Sequence, residues 1–209
     1  VACVCVLSDP MAPGDALVLN DHRAAAEWAG AGTQGEGYLL GLLVGDGTLK
    51  DDEAVLSVWQ PALAANGVAT AGSGVLGVMA AAYSAACELP HRADFSGWHA
   101  VAGRNEHRLS LAALRRLAQD YGMAPGDKCI APELERTSSQ FQRGFLRGLF
   151  DTDGSVQGSQ EKGVSIRLAQ SDLARLEAAQ RMLLRLGIAA RIYRNRRDAG
   201  TRLLPDGRG

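Results

Sequence analysis

The chain has 209 residues, of which 46% are hydrophobic and 22% charged, and its net charge is −1. That length holds one ordinary domain or two small halves sharing a core, and the composition excludes a disordered tail, a collagen-like fibre and a coiled coil. The longest apolar stretch, residues 74–87, has 14 residues, short of the roughly 20 that a membrane span needs, so no membrane partner is expected.

The near-neutral total hides an asymmetry. Residues 140–209 hold 13 basic and 7 acidic side chains, a net +6, whereas residues 1–139 carry −7. Such a basic third can mark a surface for a polyanion. Of the 22 basic residues 19 are Arg; Arg binds phosphate or guanine bidentately, although a GC-rich genome produces the same bias. Cys3, Cys5, Cys87 and Cys129 form no CxxC pair. They read as the reduced thiols of a cytoplasmic protein rather than as a zinc or redox motif.

In chain order, residues 1–35 have mixed apolar and turn character, with a turn at Met11–Asp15 and a linker at Ala31–Gly35. An apolar run then ends at an acid and a glycine, Gly37-Tyr-Leu-Leu-Gly-Leu-Leu-Val-Gly-Asp46-Gly47. A second copy follows 107 residues later, Gly144-Phe-Leu-Arg-Gly-Leu-Phe-Asp-Thr-Asp153-Gly154. Downstream of the first copy the pattern predicts a strand at 54–59, a helix near 73–88, a strand at 106–110 and a helix at 111–121 that stops at Gly122. Downstream of the second it predicts a strand at 164–169, a helix near 172–187 and a strand at 188–194. Each repeat reads helix, strand pair, helix, strand pair, helix, so the fold class is α+β with two similar halves about a pseudo-twofold axis.

Gly37, Gly41 and Gly45 are four apart and line one helix face; Gly144, Gly148 and Thr152 do the same in the second copy. Small residues at this spacing let two helix backbones approach closely. Gly47 and Gly154 suit the left-handed residue that ends a helix. Asp46 and Asp153 then lie side by side at the bottom of the pair, next to two helix C-termini that are themselves partly negative. A divalent cation resolves that conflict, and carboxylate and carbonyl oxygens suit Mg²⁺. A single Asp-Gly would read as an ordinary helix stop; two copies behind matching small-residue faces point to metal-assisted phosphodiester chemistry. The three histidines at 91, 99 and 107 fit neither a helix face nor a common metal motif, and the Gly-rich run lacks the lysine of a nucleotide loop.

These residues resemble a known family. Leu39–Gly47 and Leu146–Gly154 look like the paired signature of the LAGLIDADG, or dodecapeptide, homing endonucleases. Lys128-Cys-Ile-Ala-Pro132 is similar to the lysine block before the second signature in intein-encoded members, and Met182–Ile188 resembles a later block. The resemblance covers residues 36–195. It implies two αββαββα halves, 36–139 and 140–209, in a pseudo-dimeric monomer, with curved sheets that saddle double-stranded DNA and Mg²⁺-dependent cleavage of both strands. Position by position, Asp46 and Asp153 would bind metal, Gly45 and Thr152 offer backbone carbonyls, and Lys128 act near the scissile phosphate. Val44 departs from the signature, where the first acid would stand, but that position is not the metal ligand. Ala12-Pro-Gly-Asp15 with Leu17–Leu19 is similar to a strand of intein splicing domains, so 1–35 reads as a splicing-domain remnant and linker. Val55–Trp59 and Leu183–Arg191 look like inteins of adenosylcobalamin-dependent ribonucleotide reductase, which would be the host. The chain shows no nucleophile at position 1, no Thr-x-x-His block and no terminal His-Asn pair, so protein splicing is not assigned to it.

On the DNA side, alternation points Ser57, Trp59, Arg167, Arg191 and Tyr193 outward, with Gln170 at a strand end, while Arg194, Arg196 and Arg197 suit phosphate. Val164, Ile166, Leu168, Ile188, Ala190 and Ile192 are expected to face the helices. The rival readings are a maturase-like module that binds DNA or RNA without cutting, and a decayed, inactive intein fragment. The repeat offset places counterparts of 106–121 near 213–228, so the second half is expected to be truncated.

Overall fold

A computed structural model describes residues 27–59, 74–159, 161 and 163–194. Helix α1 (Gln34–Asp46) opens on a capping box: Thr33 Oγ1 accepts from Glu36 N–H at 3.2 Å, and Thr33 N–H donates to the Glu36 carboxylate at 2.7 Å. Tyr38 to Val44 are all buried, so the helix has no polar face and runs through the centre of the molecule. Helix α4 (Ser139–Asp153) starts on Ser138, whose hydroxyl accepts from Phe141 N–H at 3.0 Å. The two helices pack along their small-residue faces. A Cβ at Gly37 or Gly41 would run into the carbonyl oxygen of Phe141 or Phe145; one at Gly144 or Gly148 would meet that of Gln34 or Tyr38. Backbone lies against backbone at these four glycines, and only hydrogen side chains permit it.

After α1 come β1 (Thr48–Leu49), β2 (Ala54–Trp59), α2 (Gly74–Glu88), β3 (His99–Ala100), β4 (Glu106–Ser110) and α3 (Ala112–Asp120). The strands form one antiparallel sheet in the order β1-β2-β4-β3, with Ser57 opposite Arg108 and Trp59 opposite Glu106. Leu56 and Leu109 face the helices and are buried; the alternate positions Arg108, Ser110 and Trp59 are exposed. Gly122 follows α3 at φ 79°, the left-handed stop expected there. After α4 come β5 (Gly154–Ser159), β6 (Gly163–Leu168) and α5 (Leu173–Arg185), the last begun by Asp172, which accepts from Ala174 N–H at 2.8 Å. β5 and β6 pair as a two-stranded antiparallel sheet. The mixed α+β architecture expected from the repeat is therefore present, with helix, strand pair and helix recurring after each apolar signature.

Three expectations are corrected. Gly47 and Gly154 are extended, at φ −85° and −84°, rather than left-handed. Glycine is needed there for space, because a Cβ at Gly47 would lie 2.6 Å from Leu43 Cα, and one at Gly154 would strike the Phe150 carbonyl. Val164 and Ile166 do not pack on the helices: they are 61% and 72% exposed, as is Val156 at 73%, and of that face only Leu168 packs against the core. Residues 188–194 form no strand, and Ile188 and Ala190 are exposed. Alternation gives a strand its two faces, but something must pack on one of them before it is buried.

Candidate functional site

The α1–α4 seam ends where Asp46 and Asp153 emerge together. A Cβ on Gly45 would lie 3.1 Å from Asp153 Oδ2 and would strike the Thr152 side chain. Gly45 thus makes room for the Thr152 side chain just above the acids. The Thr152 hydroxyl turns back to donate to the carbonyls of Gly148 (3.2 Å) and Leu149 (3.0 Å).

The charges are coupled. Burial pushes the Asp46 carboxyl above its ordinary value, Asp153 adds to the rise, and Lys128 opposes it. Lys128 Nζ donates to the carbonyls of Leu43 (2.9 Å) and Gly47 (2.7 Å). The Leu43 carbonyl also accepts from Gly47 N–H at 3.2 Å, so the ammonium adds a second donor there, supplies one to the cap residue Gly47 and sets a positive charge where the helix dipole is negative. Burial pulls Lys128 below the usual lysine range, Arg175 pulls the same way, and Asp46 and Asp153 oppose both. Asp46, Asp153, Lys128 and Arg175 therefore lie within electrostatic reach of one another.

Asp153 has a neighbour that Asp46 lacks: Gln170 Nε2, at the end of β6, donates to its Oδ2 at 2.5 Å. Gln170, expected on the DNA face, is brought by the fold to the acid. Arg175 was not singled out. Its Nε is withdrawn from solvent, 3.6 Å from Asp172 Oδ2, with no hydrogen-bond partner among the described residues. A cation in the first turn of a helix works against the macrodipole, and that signal could have found it. A cleft of about 520 Å³ opens beside Asp46 between Val58 and Trp59 of β2, the start of α2, and Arg147 and Thr152 of α4.

The remaining residues lie further out. Trp59 is exposed and Ser57 half-buried on the outer face of the four-stranded sheet. Arg167 is exposed and donates to Gln157 Oε1 (2.6 Å) and Ser165 Oγ (3.1 Å). Arg191 lies over the Tyr193 ring at 5.1 Å, and Arg194 pairs with Glu177 at 3.0 Å. Arg196, Arg197 and most of 1–35 lie outside the described residues. No described helix is long and apolar enough to cross a membrane.

Comparison with known proteins agrees with the signature. Residues 140–206 match the LAGLIDADG-like domain family. Over 103 residues, 48% of this chain, the sequence is 31% identical to the ribonucleoside-diphosphate reductase NrdEB subunit alpha of Bacillus subtilis (strain 168). The same identity over the same length holds for the subunit of that name from Bacillus phage SPbeta. The matched segment spans 9% of each relative's own length.

Proposed function

We propose that this chain, which carries a LAGLIDADG-like domain over residues 140–206, is a Mg²⁺-dependent, site-specific DNA endonuclease encoded by an intein. The similarity to ribonucleotide reductase subunits supports a host protein of that kind. The observation that carries the reading is the meeting of Asp46 and Asp153 at the foot of a seam whose glycines leave no room for a Cβ.

The donors fit a hard divalent ion. Two carboxylates stand beside helix-terminal carbonyls, and burial together with the neighbouring Asp153 raises the Asp46 carboxyl, a setting that a divalent cation would relieve. Asp46 and Asp153 would hold Mg²⁺, with Gly45 and Thr152 carbonyls as further oxygens. Bound there, the ion would neutralise the phosphate and acidify a bound water. The chain's own groups do the positioning. Gln170 fixes the Asp153 carboxylate. Lys128, anchored on α1, places a cation beside both acids, where it can stabilise charge on the scissile phosphate. The outer face of the β2–β4 ribbon would seat the duplex in its major groove. Halves 36–139 and 140–209 would each serve one strand within a single chain.

The test is a supercoiled plasmid carrying an uninterrupted ribonucleotide reductase gene. Linear product with Mg²⁺ and none with chelator is expected, and Asp46→Asn or Asp153→Asn should lower cleavage at least about a hundredfold. Mg²⁺-insensitive binding without nicking would overturn the reading in favour of a module that binds without cutting.

A further inference from the structure

We propose that Arg108, braced by Glu106, reads a guanine in the major groove from the outer face of the four-stranded sheet. The inference rests on the DNA-binding reading above and adds a specificity-determining residue to it.

The starting observation is a misplaced charge. Glu106 is only 2% exposed, yet it stands at the first position of β4 on the outward sheet face, where Arg108, Ser110 and Trp59 are open to solvent. Removing a carboxylate from water is costly unless cations replace the hydration. Two do so here. Arg108 Nε donates to Glu106 Oε1 at 2.6 Å, and Arg104 Nη1 lies 3.6 Å from Oε2. Oε2 still lacks a hydrogen bond among the described residues. The Arg108 hydrogen bond is the largest influence holding the Glu106 carboxyl below its usual range, and burial opposes it. An apolar residue facing Trp59 would serve stability at least as well as this incompletely satisfied acid. What the acid supplies is orientation.

That orientation concerns Arg108. With Nε tied to Glu106, the plane of the guanidinium is set, while its two Nη groups have no hydrogen-bond partner among the described residues. The side chain is half exposed and sits opposite Ser57, between Glu106 and Ser110 on the outward face. A guanine presents O6 and N7 side by side in the major groove, and a fork of two parallel N–H donors matches them. A free arginine loses rotamer freedom when it makes such a contact; a braced one has already lost much of it. Ser57, Trp59 and Arg108 then form one reading surface on two neighbouring strands.

The alternative use of an exposed arginine, a contact with backbone phosphate, makes a different prediction. A phosphate contact weakens binding to every sequence alike and reduces the salt dependence by about one ion, whereas a base contact alters preference at one position.

The test takes the full 209-residue chain, a pool of duplex DNA with randomised positions, and sequencing of the bound fraction. The wild type should enrich guanine at one position. Arg108→Ala should erase that preference by about tenfold and leave the others unchanged. Arg108→Lys should do the same, since it keeps the charge but loses the fork. Glu106→Gln should weaken the preference at that same position only. Unchanged preferences in Arg108→Ala, or a uniform loss across all sequences with a shallower salt dependence, would overturn the proposal. Failure of the wild type to retain any duplex would overturn it together with the DNA-binding reading itself.

Discussion

The two strand pairs that follow the signature helices meet different fates. Two residues past the helix-ending glycine, Leu49 pairs with Ala54 in the first and Val156 with Ile166 in the second. Leu49 and Ala54 are buried, in a cluster shared with Leu111 and Leu114 at the start of α3. Leu111 N–H reaches the Ala54 carbonyl at 3.4 Å, and Arg115 on α3 donates to the carbonyl of Asp51 in the β1–β2 turn at 2.7 Å. Val156 and Ile166 remain in solvent. Identical placement after the helix therefore does not bury a strand pair; a helix laid across its end does.

The largest effect is expected at the α1–α4 seam from which both strand pairs start. Gly41→Val would press a side chain into the Phe145 carbonyl and force the helices apart, at a cost of about 4 kcal/mol or more. Urea denaturation should show loss of the cooperative transition, taking both strand pairs with it. Next, the same kind of truncation should cost very different amounts on the two sides. Leu114→Ala should destabilise by about 2–5 kcal/mol, because the site is fully buried. Ile166→Ala should stay within about 0.5 kcal/mol. Equal costs would mean that Ile166 is covered in solution.

A smaller effect separates the two helix ends. Lys128→Met removes a charged donor from the carbonyls of Leu43 and Gly47 and should cost about 2 kcal/mol. Gln170→Ala removes one hydrogen bond from Asp153 and should cost about 1 kcal/mol. The smallest is a pH effect at Asp46. Its pKa is raised in the fold, so the folded state binds its proton more tightly than the unfolded chain does. Stability from this group is present at low pH, is lost as pH rises from the unfolded value of about 4 through the folded one, and stays lost at pH 7. Asp46→Asn should therefore melt slightly above the wild type at pH 7 in the absence of Mg²⁺, and the difference should vanish near pH 3.

How much was legible follows the same division. The α1–α4 seam could be read because the four-residue spacing of Gly37, Gly41, Gly144 and Gly148 is a local signal with one geometric meaning. The strands at 54–59 and 106–110 were legible from alternation, since their inner face does meet a core. Val164 and Ile166 carry the same alternation, which says nothing about what lies opposite. Gly47 and Gly154 were recognised as helix ends, but clearance from the preceding turn, not a positive φ, is what requires glycine. In the site, Asp46, Asp153 and Lys128 were named from their motifs. The contacts of Lys128 with α1, the turn of Gln170 toward Asp153 and the approach of Arg175 depend on distant segments, and no spacing encodes them.

Whether Asp46 and Asp153 hold one divalent cation between them is tested by titration with Mn²⁺ followed by electron paramagnetic resonance, which needs no knowledge of the DNA target. Mn²⁺ should bind the wild-type chain and be displaced by Mg²⁺, and that binding should be abolished when both Asp46→Asn and Asp153→Asn are present. Equal Mn²⁺ binding by the doubly substituted chain would contradict a shared site.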